Sequence, residues 1–209
     1  LQEAYALYQL QHDLCSTPPN PLLADVLETR LRQAQDRLFS LLELAYPGRG
    51  LARVRTALHS QDSHEHGLAI ELLDTVMTRE DKTLILPLLE GLEERIQALA
   101  SEYFEVESAN VQKRLDELAG SHDLWLRACA LLEIAQKRLT SLQDRVIDAL
   151  ESEEPLVRET ALFACTSLFD AEKLTPLLAI QAKEASDAGV RRYAEAVLRS
   201  LERHEEGNA

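Results

Sequence analysis

One phrase of eight residues occurs three times in the second half of the chain, and it restricts the possible folds more than any other feature. The three copies begin at Asp123, Glu154 and Asp187. Each contains an acid, an aliphatic residue followed by arginine, and an alanine three residues after that arginine. The three alanines are separated by 31 and 33 residues. This spacing is typical of an α-helical solenoid, in which each repeat is a pair of helices.

The same period can be followed toward the N-terminus. A shift of 31 residues aligns 111–115 with 142–146, and a shift of 92 residues aligns 53–60 with 145–152. Between these units, the period predicts a degenerate repeat with its small residue at Ala100. The first helix of this repeat covers 84–90, and Pro87 lies in or just past its first turn. The sequence therefore predicts an all-α fold with five helix pairs, at 50–79, 82–104, 109–138, 142–169 and 172–203.

The first 49 residues have a different pattern. They predict a helix over 2–16, a break at the consecutive prolines, and a long helix from Pro21 to about Tyr46 with Asn20 as its N-cap. We expect these two helices to cap the array, because a terminal repeat has an outer apolar face without a neighbour. The expected organisation is a helical cap over 1–49, repeats over 50–204, and a frayed polar tail over 205–209.

The residue types of the repeated phrase have distinct physical roles. The alanine in the second helix lets neighbouring helices approach closely, and the aliphatic residue before the arginine is expected to point into the core. The acid at the turn is expected to cap the second helix through its free N–H groups. It can also face the arginine of an adjacent layer.

This pattern resembles the HEAT-repeat family over about residues 50–203, most closely in the acid-x-x-aliphatic-Arg-x-x-Ala unit. The resemblance implies a right-handed, armadillo-like α-solenoid that acts as a protein-binding scaffold. The segments 38–47, 67–74 and 84–90 look like a bacterial group of HEAT domains. In that group the domain follows a transporter-like membrane bundle, so this narrower resemblance implies a cytoplasmic, regulatory, transporter-associated domain.

Composition argues against several kinds of partner. The formal charge of −14 and the pI near 4.9 disfavour nucleic acid and anionic membranes, which both require clustered lysine and arginine. No run of 18 apolar residues is present, so we expect no direct membrane insertion. The chain begins at Leu1 without Met and without a signal-peptide pattern, and we expect it to be a domain of a longer protein.

The three cysteines are too scattered for a disulfide framework, which favours a reducing compartment and a cytoplasmic location. Cys129 and Cys165 lie in apolar helical runs, where a thiol usually serves as a small buried hydrophobe.

The densest group of possible metal ligands is His59, His64 and His66, together with Asp62 and Glu65. A zinc site needs three or four ligands that converge from fixed directions, whereas these histidines straddle a turn between two helices. We interpret the group as a solvated turn, with His66 in the position of the repeat arginine. The sequence predicts no metal site and no cofactor.

The candidate binding residues are the arginines of the repeats and one tryptophan. Arg127, Arg158 and Arg191 could bind an anion along one face, but a structural ladder of arginines and acids is the simpler interpretation. Arg192 beside Arg191 forms one weak basic spot. Trp125 could be a binding anchor, because tryptophan is frequent at interface hot spots, or it could cover the turn between layers.

No catalytic signature is present: the sequence has no nucleophile elbow, no Cys–His pair with an orienting acid and no glycine-rich phosphate loop. We therefore expect a non-enzymatic interaction module whose partner is a protein or a flanking domain of the same polypeptide. One alternative is an enzymatic or ligand-binding HEAT-like protein, such as a DNA glycosylase or a phycobilin lyase. Another is an allosteric linker between a membrane bundle and a further domain.

Overall fold

The computed structural model describes residues 1–15, 18–58 and 62–206, with only the backbone for 204–206, and these residues form helices and no strands. The predicted all-α class is confirmed. The described ranges contain twelve α-helices and one short 3-10 turn (Thr140–Leu142). The α-helices are α1 Gln2–Leu14, α2 Pro21–Ala45, α3 Leu51–Leu58, α4 Ser63–Val76, α5 Arg79–Glu90, α6 Glu93–Phe104, α7 Val111–Ala119, α8 Leu124–Gln136, α9 Gln143–Ala149, α10 Pro155–Leu168, α11 Ala171–Glu184 and α12 Ala188–Glu206.

The helices group into two compact units. The first unit comprises Leu1–Ser16 and Ala24–Ala109, and the second comprises Thr17–Leu23 and Asn110–Ala209. These two units are defined by contacts, whereas the predicted cap over 1–49 and repeats over 50–204 are defined by the repeat pattern. The predicted division therefore stays a prediction. Of the predicted tail, Glu205 and Glu206 belong to the backbone of α12, whereas 207–209 lie outside the described residues.

The core of the first unit consists of two apolar clusters. One is centred on Phe39 and Leu73 and joins α2, α3, α4 and α5. The other is centred on Tyr5 and Leu99 and joins α1, α2, α5 and α6. The Tyr5 hydroxyl donates a hydrogen bond of 2.9 Å to the Leu84 carbonyl, and its ring stacks on Phe104 at a centroid distance of 4.7 Å. The buried polar end of Tyr5 is therefore satisfied, as a buried hydroxyl requires.

The second unit is built from three helix pairs in which the second helices pack on one another. The pairs are α7 with α8, α9 with α10, and α11 with α12, while α10 packs against both α8 and α12. The aliphatic residues before the repeat arginines are buried, as expected: Leu126, Val157 and Val190. These side chains and the small alanines between them form the centre of this unit's core.

The five alanines placed by the repeat period are all buried, including the one predicted for the degenerate unit. Ala100, Ala130, Ala161 and Ala194 are 0% exposed, and Ala69 is 4% exposed. A Cβ without further atoms allows two helix backbones to come close, so a larger side chain at any of these positions would force the helices apart. The prediction that these positions lie in the core is confirmed.

The start of α5 differs from the prediction. We expected Pro87 in or just past the first turn of a helix starting near Leu84, but α5 begins at Arg79, and Pro87 lies in its third turn. The reason is an N-cap upstream of the apolar run, where the Thr78 hydroxyl accepts a hydrogen bond from the Asp81 amide at 3.3 Å. Acidic residues in the first turn add favourable charge at this end of the helix.

The acids at the repeat turns cap their helices at two of the three copies of the phrase. Asp123 accepts hydrogen bonds from the amides of Trp125 and Leu126, and Asp187 caps the start of α12 in the same way. Glu154 occupies the corresponding position before α10, but its side chain makes no capping hydrogen bond. Our expectation for Glu154 was wrong, because the longer glutamate side chain is not among the preferred N-cap residues.

A buried carboxylate anchors the segment before α2 within the second unit. Glu133 of α8 is 2% exposed, and its Oε2 accepts hydrogen bonds from the Asn20 amide at 2.8 Å and from Asn20 Nδ2 at 2.6 Å. Lys137 Nζ lies 3.2 Å from Glu133 Oε1 and also donates to the Pro18 carbonyl at 3.3 Å. Asn20 Oδ1 accepts from the Leu23 amide at 3.0 Å, which confirms the predicted N-cap of α2.

None of the helices in the described ranges is long and apolar enough to cross a membrane.

Candidate functional site

The second helices of the C-terminal unit carry an exposed apolar patch at repeated positions. We define the α8/α10 patch as Trp125, Leu132, Leu156 and Phe163. Trp125 and Leu156 are equivalent positions 31 residues apart, and so are Leu132 and Phe163. Within each helix the two residues are seven positions apart, which is close to two turns and places them on one face. Because α8 packs against α10, the two faces are neighbours.

Exposure is substantial over most of this patch. Trp125 is 56% exposed, Phe163 41% and Leu156 37%, while Leu132 is partly buried. Single exposed leucines are ordinary on protein surfaces, but large apolar residues grouped at equivalent positions of two packed helices often mark an interaction site. The exposure of Trp125 favours the binding-anchor interpretation over a residue that covers the turn.

Local sequence explains why Trp125 faces solvent. The Asp123 carboxylate accepts hydrogen bonds from the amides of Trp125 at 3.0 Å and Leu126 at 3.2 Å, which fixes the first turn of α8. With Leu126 buried against the core, the preceding residue lies about 100° away around the helix. The same register buries Ala130 and leaves Leu132 at the edge of the patch.

On α12, small residues occupy the positions equivalent to the patch. Gly189 corresponds to Trp125 and Leu156, and Ala196 corresponds to Leu132 and Phe163. A Cβ built on Gly189 would lie 2.6 Å from Glu159 Oε1, so the carboxylate of Glu159 extends from α10 over this glycine. The apolar patch therefore ends at α12, where small residues and one acid replace the large apolar side chains.

Two of the repeat arginines converge on one turn. Arg191 Nη1 donates hydrogen bonds to the carbonyls of Ala185 at 2.7 Å and Ser186 at 2.9 Å, and Arg158 Nη2 donates to Ser186 Oγ at 3.4 Å. The pKa of Asp187 is lowered first by hydrogen bonds from the Val190 and Gly189 amides and then by the charges of Arg158 and Arg191. Both arginines thus bond to carbonyl and hydroxyl oxygens of this turn, and the ladder of arginines and acids stays a prediction.

The other two candidate arginines do not converge on this turn. Arg192 is exposed, and its Nε donates to the Ala188 carbonyl one helical turn earlier, at 3.2 Å. Arg127 is partly buried, and its Nε has no hydrogen-bond acceptor within the described residues.

The three candidate histidines are only partly covered by the structure. His59 lies outside the described residues. His64 and His66 lie in the first turn of α4, where the His64 amide donates to Asp62 Oδ1 at 2.8 Å and caps the helix. No group of three or more histidine, cysteine, aspartate or glutamate side chains is arranged for metal binding in the part of the chain that the structure describes.

The cysteines of the repeats have the buried environment expected from the sequence. Cys129 and Cys165 are 3% and 0% exposed. Burial raises the pKa of Cys129, with Asp123 adding to the shift, and burial raises the pKa of Cys165 to about 12. Because the thiolate is the nucleophilic form, neither thiol is activated as a nucleophile near neutral pH.

Three surface grooves were not anticipated from the sequence. One, of about 640 Å³, lies between α3 and α4 and includes Leu68 and Leu72. A second, about 490 Å³, lies beside α1 and α6 and includes His12 and Cys15. A third, about 320 Å³, lies between α9 and α11 in the C-terminal unit and includes Ile180. All three depend on which helices pack together, and the repeat pattern alone does not specify this.

Comparison with known proteins gives no relative for the chain: no family model matches it, and neither a curated protein nor a solved structure is significantly similar to it.

Proposed function

We propose that this chain is a non-enzymatic protein-interaction module, and that the α8/α10 patch is where its partner binds. The observation that carries the proposal is the exposure of Trp125, Leu156 and Phe163 at equivalent positions of two packed helices. Burying side chains of this size contributes roughly 1.5–3 kcal/mol each, which is the scale of an interface hot spot.

We also propose that the five helix pairs are HEAT-like repeats forming an α-solenoid. Packing of α10 against both α8 and α12 supports this organisation, as does the burial of the five alanines placed by the period. In such an array the second helices form a continuous surface on which an extended segment or a helix of a partner can lie. The repeat arginines would then be structural, since Arg158 and Arg191 both bond to the turn before α12.

The proposed cellular setting follows the narrower resemblance. We expect the chain to be a cytoplasmic regulatory domain of a larger, transporter-like polypeptide, with a flanking domain or a separate protein as its partner. The formal charge of −14 favours a partner surface with basic character and disfavours nucleic acid.

A selection experiment tests the patch with displayed peptides in place of the natural partner. A library of random peptides is selected on the wild-type protein, and the recovered peptides are assayed against the double variant Trp125→Ser, Phe163→Ser. We expect at least about tenfold weaker binding by the variant, because the loss of one hot-spot residue already costs more than about 1.4 kcal/mol.

The matched control is Leu92→Ser, Tyr103→Ser, which also replaces two exposed apolar residues but lies outside the patch. It should bind the selected peptides as the wild type does. The proposal is wrong if all three proteins bind the recovered peptides equally, or if no peptide is recovered. Circular dichroism establishes that each variant keeps its helical content.

A further inference from the structure

A cleft lies between α9 and α11, two first helices that differ in length. α9 covers Gln143–Ala149, whereas α11 covers Ala171–Glu184 and is about 10 Å longer at 1.5 Å per residue. Ile180 of α11 is 50% exposed and lines this cleft. Gln181 Nε2 donates a hydrogen bond of 3.3 Å to the Leu150 carbonyl and closes one end of the cleft.

In the preceding layer, an ion pair joins α7 to α9. Arg145 of α9 binds Asp116 of α7 through two contacts, Nε to Oδ1 at 2.8 Å and Nη2 to Oδ2 at 3.0 Å. Ile147 stands 31 residues after Asp116, and Leu177 stands 32 residues after Arg145. Both residues line the cleft. Apolar side chains therefore stand where the preceding layer has a bidentate bridge, and an open pocket of about 320 Å³ lies between α9 and α11.

The rim of this cleft is acidic. Glu151, two residues after the end of α9, and Glu184, the last residue of α11, line it, and both are exposed. Within the described chain, neither carboxylate takes part in a side-chain hydrogen bond or an ion pair. The one cation of the lining, Arg158, donates to Ser186 Oγ and lies close enough to Asp187 for its charge to help lower the pKa of that carboxyl. The two rim acids are therefore not neutralised by this chain.

We propose that this cleft is a docking pocket for a long basic side chain, arginine or lysine, of a partner protein. The aliphatic stem packs on Ile147, Leu177 and Ile180, and the cationic head lies between Glu151 and Glu184. Such a side chain fits because it is apolar along its stem and charged only at its tip. The pocket is distinct from the α8/α10 patch, so it can be tested separately from the proposed function.

The charges around the cleft favour a cationic occupant over an anionic one. An anionic ligand would have the Arg158 guanidinium as its only cation in the lining, and it would meet the rim carboxylates of Glu151 and Glu184. A cation gains from both rim acids and from the net charge of −14. A cationic head also remains in contact with water at the open rim, which limits its desolvation cost.

The test uses short blocked peptides and the isoleucine methyl signals of the full chain. Acetyl-Ala-Arg-Ala-amide is titrated at low salt, and acetyl-Ala-citrulline-Ala-amide serves as the neutral isostere. We expect the arginine peptide to shift the methyl signals of Ile147 and Ile180. The citrulline peptide should bind at least about fivefold more weakly, because it lacks the charge that the rim acids attract. Substitution of each isoleucine by valine assigns its signal.

The double variant Glu151→Gln, Glu184→Gln should reduce arginine-peptide affinity to that of the citrulline peptide. The charge-matched control Glu172→Gln, Glu202→Gln removes two exposed acids that do not line the cleft and should bind like the wild type. Equal binding of both peptides, or shifts that spare Ile147 and Ile180, would overturn the proposal. A response to butyrate but not to the arginine peptide would also overturn it and would identify an anion pocket at Arg158.

Discussion

Two tyrosines of α1 place their hydroxyl groups against carbonyls of α5. The Tyr5 hydroxyl donates to Leu84 and the Tyr8 hydroxyl to Leu88, at 2.9 and 2.8 Å. Burial raises the pKa of Tyr5 to about 12, although the charge of Arg95 acts in the opposite direction, and burial also raises the pKa of Tyr8. Both hydroxyls must stay protonated to donate these bonds. The stability of the first unit should therefore fall when alkaline pH deprotonates them.

For Tyr5 this linkage has a defined sign and window. Folding raises the pKa, so the stabilisation is complete below the ordinary tyrosine value of about 10 and is lost as pH rises to about 12. Tyr5→Phe should lower the free energy of unfolding by about 1 kcal/mol at pH 7 and should make its decline above pH 10 less steep. Urea unfolding across this range measures both effects. Tyr103→Phe, at an exposed tyrosine, should leave the profile unchanged.

Glu133 is the residue on which the anchoring of the segment before α2 depends. Glu133→Ala leaves the Asn20 amide and Lys137 without their buried partner, so it should lower the free energy of unfolding by about 2–3 kcal/mol. Because Asn20 bonds directly to Glu133, Asn20→Ala combined with Glu133→Ala should cost less than the sum of the two single changes. Chemical denaturation of the four proteins measures this coupling, and strict additivity would contradict the anchoring role.

At the level of the helix, α11 contains a proline that its position does not favour. Pro176 is the sixth residue of α11 and is exposed, so it lacks the N–H that would bond to the Glu172 carbonyl and contributes little packing in return. Pro176→Ala should raise the free energy of unfolding by about 1–2 kcal/mol, since helix propensity outweighs the added freedom of the unfolded chain.

Pro155 provides the matched control, because it is the first residue of α10, where the missing N–H has no helical partner. Pro155→Ala should therefore give no gain. Equal stabilisation by the two substitutions would show that the position within the helix does not matter. Thermal unfolding followed by circular dichroism is sufficient for the comparison.

The helices themselves could be predicted well because their signals are local or periodic. The alanine spacing located all five core positions, and the prolines and Asn20 located the start of α2. The start of α5 was missed because its N-cap, Thr78, precedes the apolar run on which the prediction relied. Glu154 was misjudged because sequence position was given more weight than the length of its side chain.

The candidate site could be predicted only in part. Trp125 was identified as a possible anchor, but Leu156 and Phe163 were not identified as candidate binding residues. Their equivalence to Trp125 and Leu132 at the 31-residue shift was a signal that could have found them. The cleft between α9 and α11 depends on how these helices pack, and the bonds of Glu133 join positions 113 residues apart. A glutamate within the apolar run of α8 was the one sequence sign of that contact.

For the whole molecule, the dominant property is an excess of negative charge. With a formal charge of −14, self-repulsion opposes the compact state at pH 8, and salt screens it. Raising NaCl from about 0.02 M to about 0.3 M should increase the Tm by about 2–4 °C. This is the shift expected when the free energy of unfolding of a chain of this size rises by roughly 1 kcal/mol.

The same salt change at pH 5 provides the control, because the pI is about 4.9 and the net repulsion is nearly absent there. We expect no increase at that pH, or a small decrease, since screening would then act mainly on ion pairs such as Arg37 with Glu3. Differential scanning calorimetry measures both series. An equal salt response at the two pH values would indicate that the salt effect is not electrostatic.

The anchoring of Asn20 by Glu133 has a consequence for the order in which the protein is made. Residues 17–23 belong to the C-terminal unit, so they leave the ribosome long before the helix that holds them. At about 5–20 residues per second, the 113 residues that separate Asn20 from Glu133 correspond to a delay of roughly 6–23 s. During that interval the nascent chain can complete α1–α6 while this short segment still lacks its partner. Final docking of the segment is therefore a late event in the synthesis of the protein.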